Sequence, residues 1–205
     1  MRRQSKEYRV PIVTKVASRR DPYQVLVSCL LSLRTKDKTT ALASERLFRI
    51  AETAQEMLAI PLGRLEKIIY PVGFYRNKAK VIAGISKRIV EEFGGRVPDS
   101  LEGLLSLKGV GLKTANLVLG LGFQKPAICV DTHVHRISNR LGWVSTETPE
   151  ESEAALKKIV PRRYWIDLNT ILVTFGQNVC VPVSPFCTRC SVKALCKKRG
   201  VAKWR

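Results

Sequence analysis

Residues 104–140 read LLSLKGVGLKTANLVLGLGFQKPAICVDTHVHRISNR, and the rest of the chain is read outward from them. The stretch predicts a helix, a tight hairpin at Gly109-Val110-Gly111 and a second helix. Glycines lack Cβ atoms, so the turn can adopt φ > 0 and approach another surface closely. The second helix opens at that turn, where unpaired N–H groups and the positive end of the helix dipole form a site for an anion such as phosphate. Lys113 follows two residues beyond the turn, and Asp131 stands at the next break, in VDTH at 130–133. Taken singly, each feature has an ordinary reading. The hairpin can be a plain helix connection, Lys113 a solvated lysine and Asp131 the N-cap of a helix over 132–141. Together, an amine and a carboxylate flanking a phosphate-gripping motif suggest chemistry on nucleic acid.

Charge supports that direction. The chain of 205 residues carries 36 Lys and Arg against 17 Asp and Glu, a net charge of +19. Such an excess exceeds what solubility needs and implies a polyanionic partner, most often nucleic acid. A membrane partner is not expected, because no basic helix carries a bulky apolar face of its own. The apolar run at 25–33 is too short to span a bilayer. The basic start, MRRQSKEYRV, lacks the apolar segment of a secretory signal, so an intracellular, cytoplasmic protein with reduced thiols is expected.

From the N-terminus, helical signals recur and no segment alternates as a strand. The basic residues of 1–20 surround a short apolar run at 10–13, which suits a first helix. Asp21-Pro22 pairs an N-cap with an N1 proline ahead of a buried helix over 23–33. A helix over 38–50 follows, and Thr53 with Glu56 suits a capping box. After the turn 74–77 a long helix runs to Phe93, with Ala79, Ile82, Ile85, Ile89 and Phe93 on one face, and Gly94-Gly95 closes it. Asp99 or Ser100 caps the first hairpin helix, Thr148-Pro149 starts another, and a buried helix runs over 164–177. The fold class is all-α.

Six cysteines divide into two kinds. Cys29 and Cys129 stand alone among apolar neighbours as packing residues, whereas Cys180, Cys187, Cys190 and Cys196 have the spacing C-x6-C-x2-C-x5-C. Four thiolates so close together suit a tetrahedral zinc or a 4Fe–4S cluster, and spacing alone leaves both open. No acidic residue follows Asp167, so the metal loop presents a basic face.

Taken together, LKGVGLKTA at 107–115, VDTH at 130–133 and the cysteine pattern resemble the endonuclease III family of DNA glycosylase/AP lyases, over essentially the whole chain and in the family's order. The resemblance implies two helical domains with a DNA cleft between them. One is a six-helix domain over about 16–126, with its helix-hairpin-helix turn at about 107–113. The other is a four-helix domain made of 1–15 and 127–205, with a cluster loop at 180–196. It decides the metal question for a 4Fe–4S cluster held by Cys180, Cys187, Cys190 and Cys196. Lys113 falls on the family's catalytic lysine and Asp131 on its catalytic aspartate, while Gly109, Val110 and Gly111 fall on the DNA-binding hairpin. The partner implied is double-stranded DNA with damaged bases or abasic sites, met by a monomer. The activity implied is removal of oxidised pyrimidines, then strand cleavage 3′ to the abasic site through a lysine Schiff base.

Three departures stand out. In the S-x-x-x-x-D segment the intercalating position, often Gln, is Arg34, and a second wedge position, often Leu, is Phe74. Residues 181–186, between the first two cysteines, carry no charge where relatives often place basic residues, so Lys193, Lys197 and Lys198 are the expected replacements. The alternatives are a monofunctional glycosylase for mismatched thymine or adenine, whose members generally lack the lysine, and a non-enzymatic DNA-binding module.

Overall fold

The computed structural model describes residues 1–17 and 21–205, so Arg19 and Arg20 of the basic N-terminal stretch lie outside the described residues. Among the described residues there are twelve α-helices and no strand. The all-α expectation therefore holds. None of the described helices is long and apolar enough to cross a membrane. The chain divides into two compact units, Ile12–Lys125 and Met1–Pro11 with Pro126–Arg205.

The Ile12–Lys125 unit has α3 (Pro22–Ser32) at its centre. Nine consecutive residues of α3, from Tyr23 to Leu31, are buried, because neighbours cover this apolar helix on all sides. Those neighbours are α2 (Ile12–Ala17), α4 (Asp37–Phe48), α7 (Tyr75–Glu92), α9 (Leu112–Leu117) and a π-helical turn at Val118–Gly122. Asp21 caps α3 by accepting the N–H of Gln24 at 2.9 Å. The short helices α5 (Ala54–Leu58), α6 (Leu62–Ile69) and α8 (Leu101–Ser106) complete the unit. Thr53 and Glu56 make the expected capping box on α5. Ser100, not Asp99, caps α8, since the Asp99 carboxylate is drawn to Lys125 at 2.6 Å.

Two local features depart from the sequence pattern. Helix α7 begins at Tyr75 rather than beyond Asn77, because the N-cap residue Phe74 takes a left-handed backbone (φ 58°) and its carbonyl already accepts the N–H of Lys78. The second hairpin helix keeps α geometry only to Leu117 and then widens into the π turn. Of the face expected on α7, Ala79, Ile82, Ile85 and Ile89 are buried, whereas Phe93 stands at the C-cap and is only half-buried.

In the other unit, α10 (Thr132–Leu141) and α12 (Trp165–Asn178) pack together, with α11 (Pro149–Ile159) against α10 and α1 (Arg2–Ser5) against α12. Ile128, Val134, Ile137, Leu172 and Phe175 are the centre of one apolar cluster, against which Cys180, Cys190 and Cys196 pack from one side. The cysteine loop is thereby seated on the core.

Candidate functional site

In the hairpin, only Gly109 uses glycine's conformational freedom. Its φ is +96°, and a Cβ there would come within 2.8 Å of the Val81 side chain. Gly111 has an extended backbone (φ −97°, ψ 174°), open to any residue, and a Cβ on it would meet nothing within 4 Å. Its missing side chain therefore leaves the outer face of the turn clear. Val110 between them is buried and anchors the turn, while Lys108, Gly109 and Gly111 are exposed. Lys113 is exposed on the first turn of α9. Burial pushes the thiol of Cys29 in α3 up to about 12, a rise that the charge of Lys113 partly offsets. The lysine thus stands within electrostatic reach of α3.

Arg34 and Phe74 lie in two turns of the same unit, one between α3 and α4 and one between α6 and α7. Both have left-handed backbones, φ 52° and 58°, which non-glycine residues adopt at a cost of about 1–3 kcal/mol. The two side chains meet. The Arg34 guanidinium sits over the Phe74 ring, 5.1 Å from its centroid. Phe74 is 62% exposed, so it is not a core aromatic.

Asp131 belongs to the other unit, where it caps α10. One oxygen, Oδ1, accepts the N–H groups of both His133 and Val134 at 2.9 Å. The cap consumes a single oxygen, so Oδ2 is not needed for it.

The four clustered cysteines are brought together. Cys180, Cys187, Cys190 and Cys196 all line one small hollow, together with Ile137, Phe175 and Val179. Among the described residues no three His, Cys, Asp or Glu side chains are grouped to hold a single ion. Burial raises the thiols of Cys187 and Cys190 above their ordinary value. Cys29 and Cys129 are buried elsewhere.

Sequence reasoning missed the arginines that organise this loop. Arg140, only 8% exposed, donates to the Cys180 sulfur (3.5 Å) and to the carbonyls of Val181 (2.8 Å) and Pro182 (2.6 Å). Arg136, one turn earlier on α10, donates to the carbonyls of Gly176 and Cys180. Their i, i+4 spacing toward the inner side of an amphipathic helix was the available signal. The uncharged stretch 181–186 is also less bare than it reads, because Arg189 and Arg205 each place a guanidinium 4.0 Å from the Phe186 ring centre. Lys193 and Lys197 are exposed, whereas Lys198 is drawn over the Trp204 ring at 4.2 Å.

Residues 27–162 match the HhH-GPD superfamily, described as base excision DNA repair proteins. Over 188 residues the chain is 52% identical to Endonuclease III of Thermotoga maritima, covering 90% of this chain and 88% of that one. It is 44% identical over 177 residues to Endonuclease III-like protein 1 of Gallus gallus, where 85% of this chain spans only 63% of the longer relative. Among solved structures, a trapped endonuclease III–DNA covalent intermediate superposes with a TM-score of 0.81 at 36% identity. That match covers 87% of this chain and 84% of the other.

The exposure and backbone of Phe74 generate a stability test. Phe74→Gly removes left-handed strain but frees the unfolded chain, so the two effects nearly cancel and stability is expected to stay within about 0.5 kcal/mol. Urea unfolding measures it. A loss above about 2 kcal/mol would make the ring a packing residue after all.

Proposed function

The chain belongs to the HhH-GPD superfamily of base excision DNA repair proteins and, within it, to the endonuclease III family, and on that footing we propose that it is a bifunctional DNA N-glycosylase and AP lyase with Lys113 as its nucleophile. The observation that carries this reading is the exposed Lys113, two residues past a hairpin whose outer face Gly111 leaves clear. The backbone N–H groups of Gly109 and Gly111 and those at the start of α9 grip a phosphate of the duplex, and the net charge of +19 draws the DNA in. The substrate is duplex DNA carrying oxidised pyrimidines or abasic sites. The damaged base must leave the stack before its glycosidic carbon can be reached. Arg34 and Phe74 fill the gap it leaves, Phe74 by stacking and Arg34 by hydrogen bonding to the orphaned base.

The Lys113 amine, once neutral, forms a bond to the sugar carbon C1′ as the bond to the base breaks, and the base departs with the electron pair and takes up a proton. Loss of a proton from the nitrogen and opening of the sugar give a Schiff base between Lys113 and C1′. That imine makes the C2′ proton acidic. Its removal expels the 3′ phosphate by β-elimination, and water then frees the lysine. Asp131 stabilises the cationic sugar through the carboxylate that its cap leaves available, and assists proton transfer. A monofunctional glycosylase has no use for an amine at this position, and a DNA-binding module has no use for either group.

The four cysteines suit a 4Fe–4S cluster. They are soft donors lining one hollow, and N–H groups of Arg140 and Lys198 lie 3.5 and 3.4 Å from the sulfurs of Cys180 and Cys196. When bound, such a cluster crosslinks the loop and provides a one-electron redox centre. Arg140 pre-shapes its first turn by holding the carbonyls of Val181 and Pro182.

Three tests follow from these assignments. Lys113→Gln should fold and bind abasic DNA yet form no adduct under borohydride reduction, whereas Asp131→Asn should keep near-native stability, because Asn also caps helices. Base excision by Asp131→Asn should nevertheless fall by at least about a hundredfold, the scale of general acid–base catalysis. A full-strength adduct in Lys113→Gln would move the nucleophile elsewhere. Loss of folding with unchanged specific activity in Asp131→Asn would reduce that residue to a cap. For the cluster, anaerobically purified protein should show a broad brown-yellow absorbance, and a colourless protein with stoichiometric zinc would overturn the assignment.

A further inference from the structure

Lys78 is a charged side chain that neither the capping pattern nor the proposed chemistry uses, and it is only 8% exposed. It stands on the first turn of α7, directly behind Phe74. Its ammonium donates to the carbonyls of Leu31 (2.8 Å) and Leu33 (2.6 Å) and to Thr35 Oγ1 (3.0 Å). An ammonium has three protons, and three acceptors receive them. Two of these are carbonyls at the C-terminal end of α3, where the helix leaves oxygens without intrahelical partners and the dipole favours a cation.

The third acceptor links the two turns. Thr35 Oγ1 also accepts the N–H of Gly73 at 3.2 Å. Gly73 lies so close to the other turn that a Cβ would fall 2.8 Å from the Arg34 carbonyl oxygen. The turn bearing Arg34 and the turn bearing Phe74 are therefore joined at Lys78, Thr35 and Gly73. Immediately outside that junction sit the two left-handed residues whose side chains stack. A cation–π contact between exposed groups contributes about 0.5–1 kcal/mol, too little to hold two strained backbones by itself. Something beneath must do so.

We infer that Lys78 is a positioning residue for base extrusion, a buried clasp that holds Arg34 and Phe74 together in the shape that enters the duplex. This rests on the reading of Arg34 and Phe74 as the wedge. Burial pulls the Lys78 ammonium down to about 8, which opposes its charge, while the three acceptors bond to the charged form. A lysine with this surrounding is poorly replaced by a residue of similar length without the charge. Lys78→Met leaves the carbonyls of Leu31 and Leu33 without this donor and releases Thr35.

The test compares two substrates, a duplex with a paired oxidised pyrimidine and an abasic site already formed, using the full chain. A 2-aminopurine opposite the lesion reports extrusion directly by brightening when the pair opens. Phe74→Ala serves as the reference for a lost wedge. Lys78→Met should lower excision of the paired base at least about tenfold more than cleavage of the abasic site, and should delay the 2-aminopurine signal. Thr35→Val, a near-isosteric change in a half-exposed turn, should act in the same direction more weakly and decides the matter if Lys78→Met does not fold. Added to Phe74→Ala, Lys78→Met should bring little further selective loss, because both act on one step. If Phe74→Ala is selective for the paired lesion but Lys78→Met and Thr35→Val reduce both substrates equally, or multiply with Phe74→Ala, the clasp is overturned and the wedge stands. If Phe74→Ala is itself unselective, the wedge reading fails and the clasp with it.

Discussion

A helix ends with four N–H or four C=O groups that have no partner within it, and in an all-helical chain those ends are where polar chemistry gathers. Most of the candidate functional residues here are found at such places. The hairpin at 109–111 precedes α9, and Asp131 caps α10. Arg34 follows the C-terminal end of α3, Phe74 stands at the N-cap of α7, and Cys180 lies just past α12. The helical interiors supply stiffness, and the burial of α3 on every side holds these ends within the first unit at fixed distances. What the ends do with their unpaired groups then differs. Some are closed by side chains, as Asp131 closes α10, and some by a buried cation, as Lys78 closes α3. The hairpin turn instead presents an open face to the outside.

Much of this was legible in the residues themselves. Asp21, Thr53, Asp131 and Thr148 announce helix starts because a short polar side chain before an apolar repeat has few other uses, and all four accept backbone N–H groups. The stripe Ala79, Ile82, Ile85, Ile89 is buried because its 3.6-residue spacing leaves the helix no other way to hide it. The cysteine spacing brought four sulfurs to one hollow.

Other features left little local trace. The left-handed backbones of Arg34 and Phe74 are imposed by contacts between turns forty residues apart in sequence, and neither residue type favours that region. The π turn at Val118–Gly122 keeps an ordinary apolar pattern while changing its hydrogen bonding. Arg140 reads as one more basic residue in a basic chain, yet its guanidinium is buried against the cysteine loop. Lys78 is the same case. Where charge is abundant in the sequence, burial alone separates a structural cation from a solvated one. The glycines of the hairpin show the complementary limit, since one is needed for its φ and the other for the space it leaves outside.

In the proposed mechanism the amine of Lys113 bonds to the sugar of the damaged nucleotide. The direct measurement is to reduce the reacting protein–DNA complex with borohydride, digest both components and locate the sugar remnant by tandem mass spectrometry. The added mass should fall on the Nζ of Lys113 alone. A remnant on the chain's amino terminus or on any other lysine, with residue 113 unmodified, would contradict it.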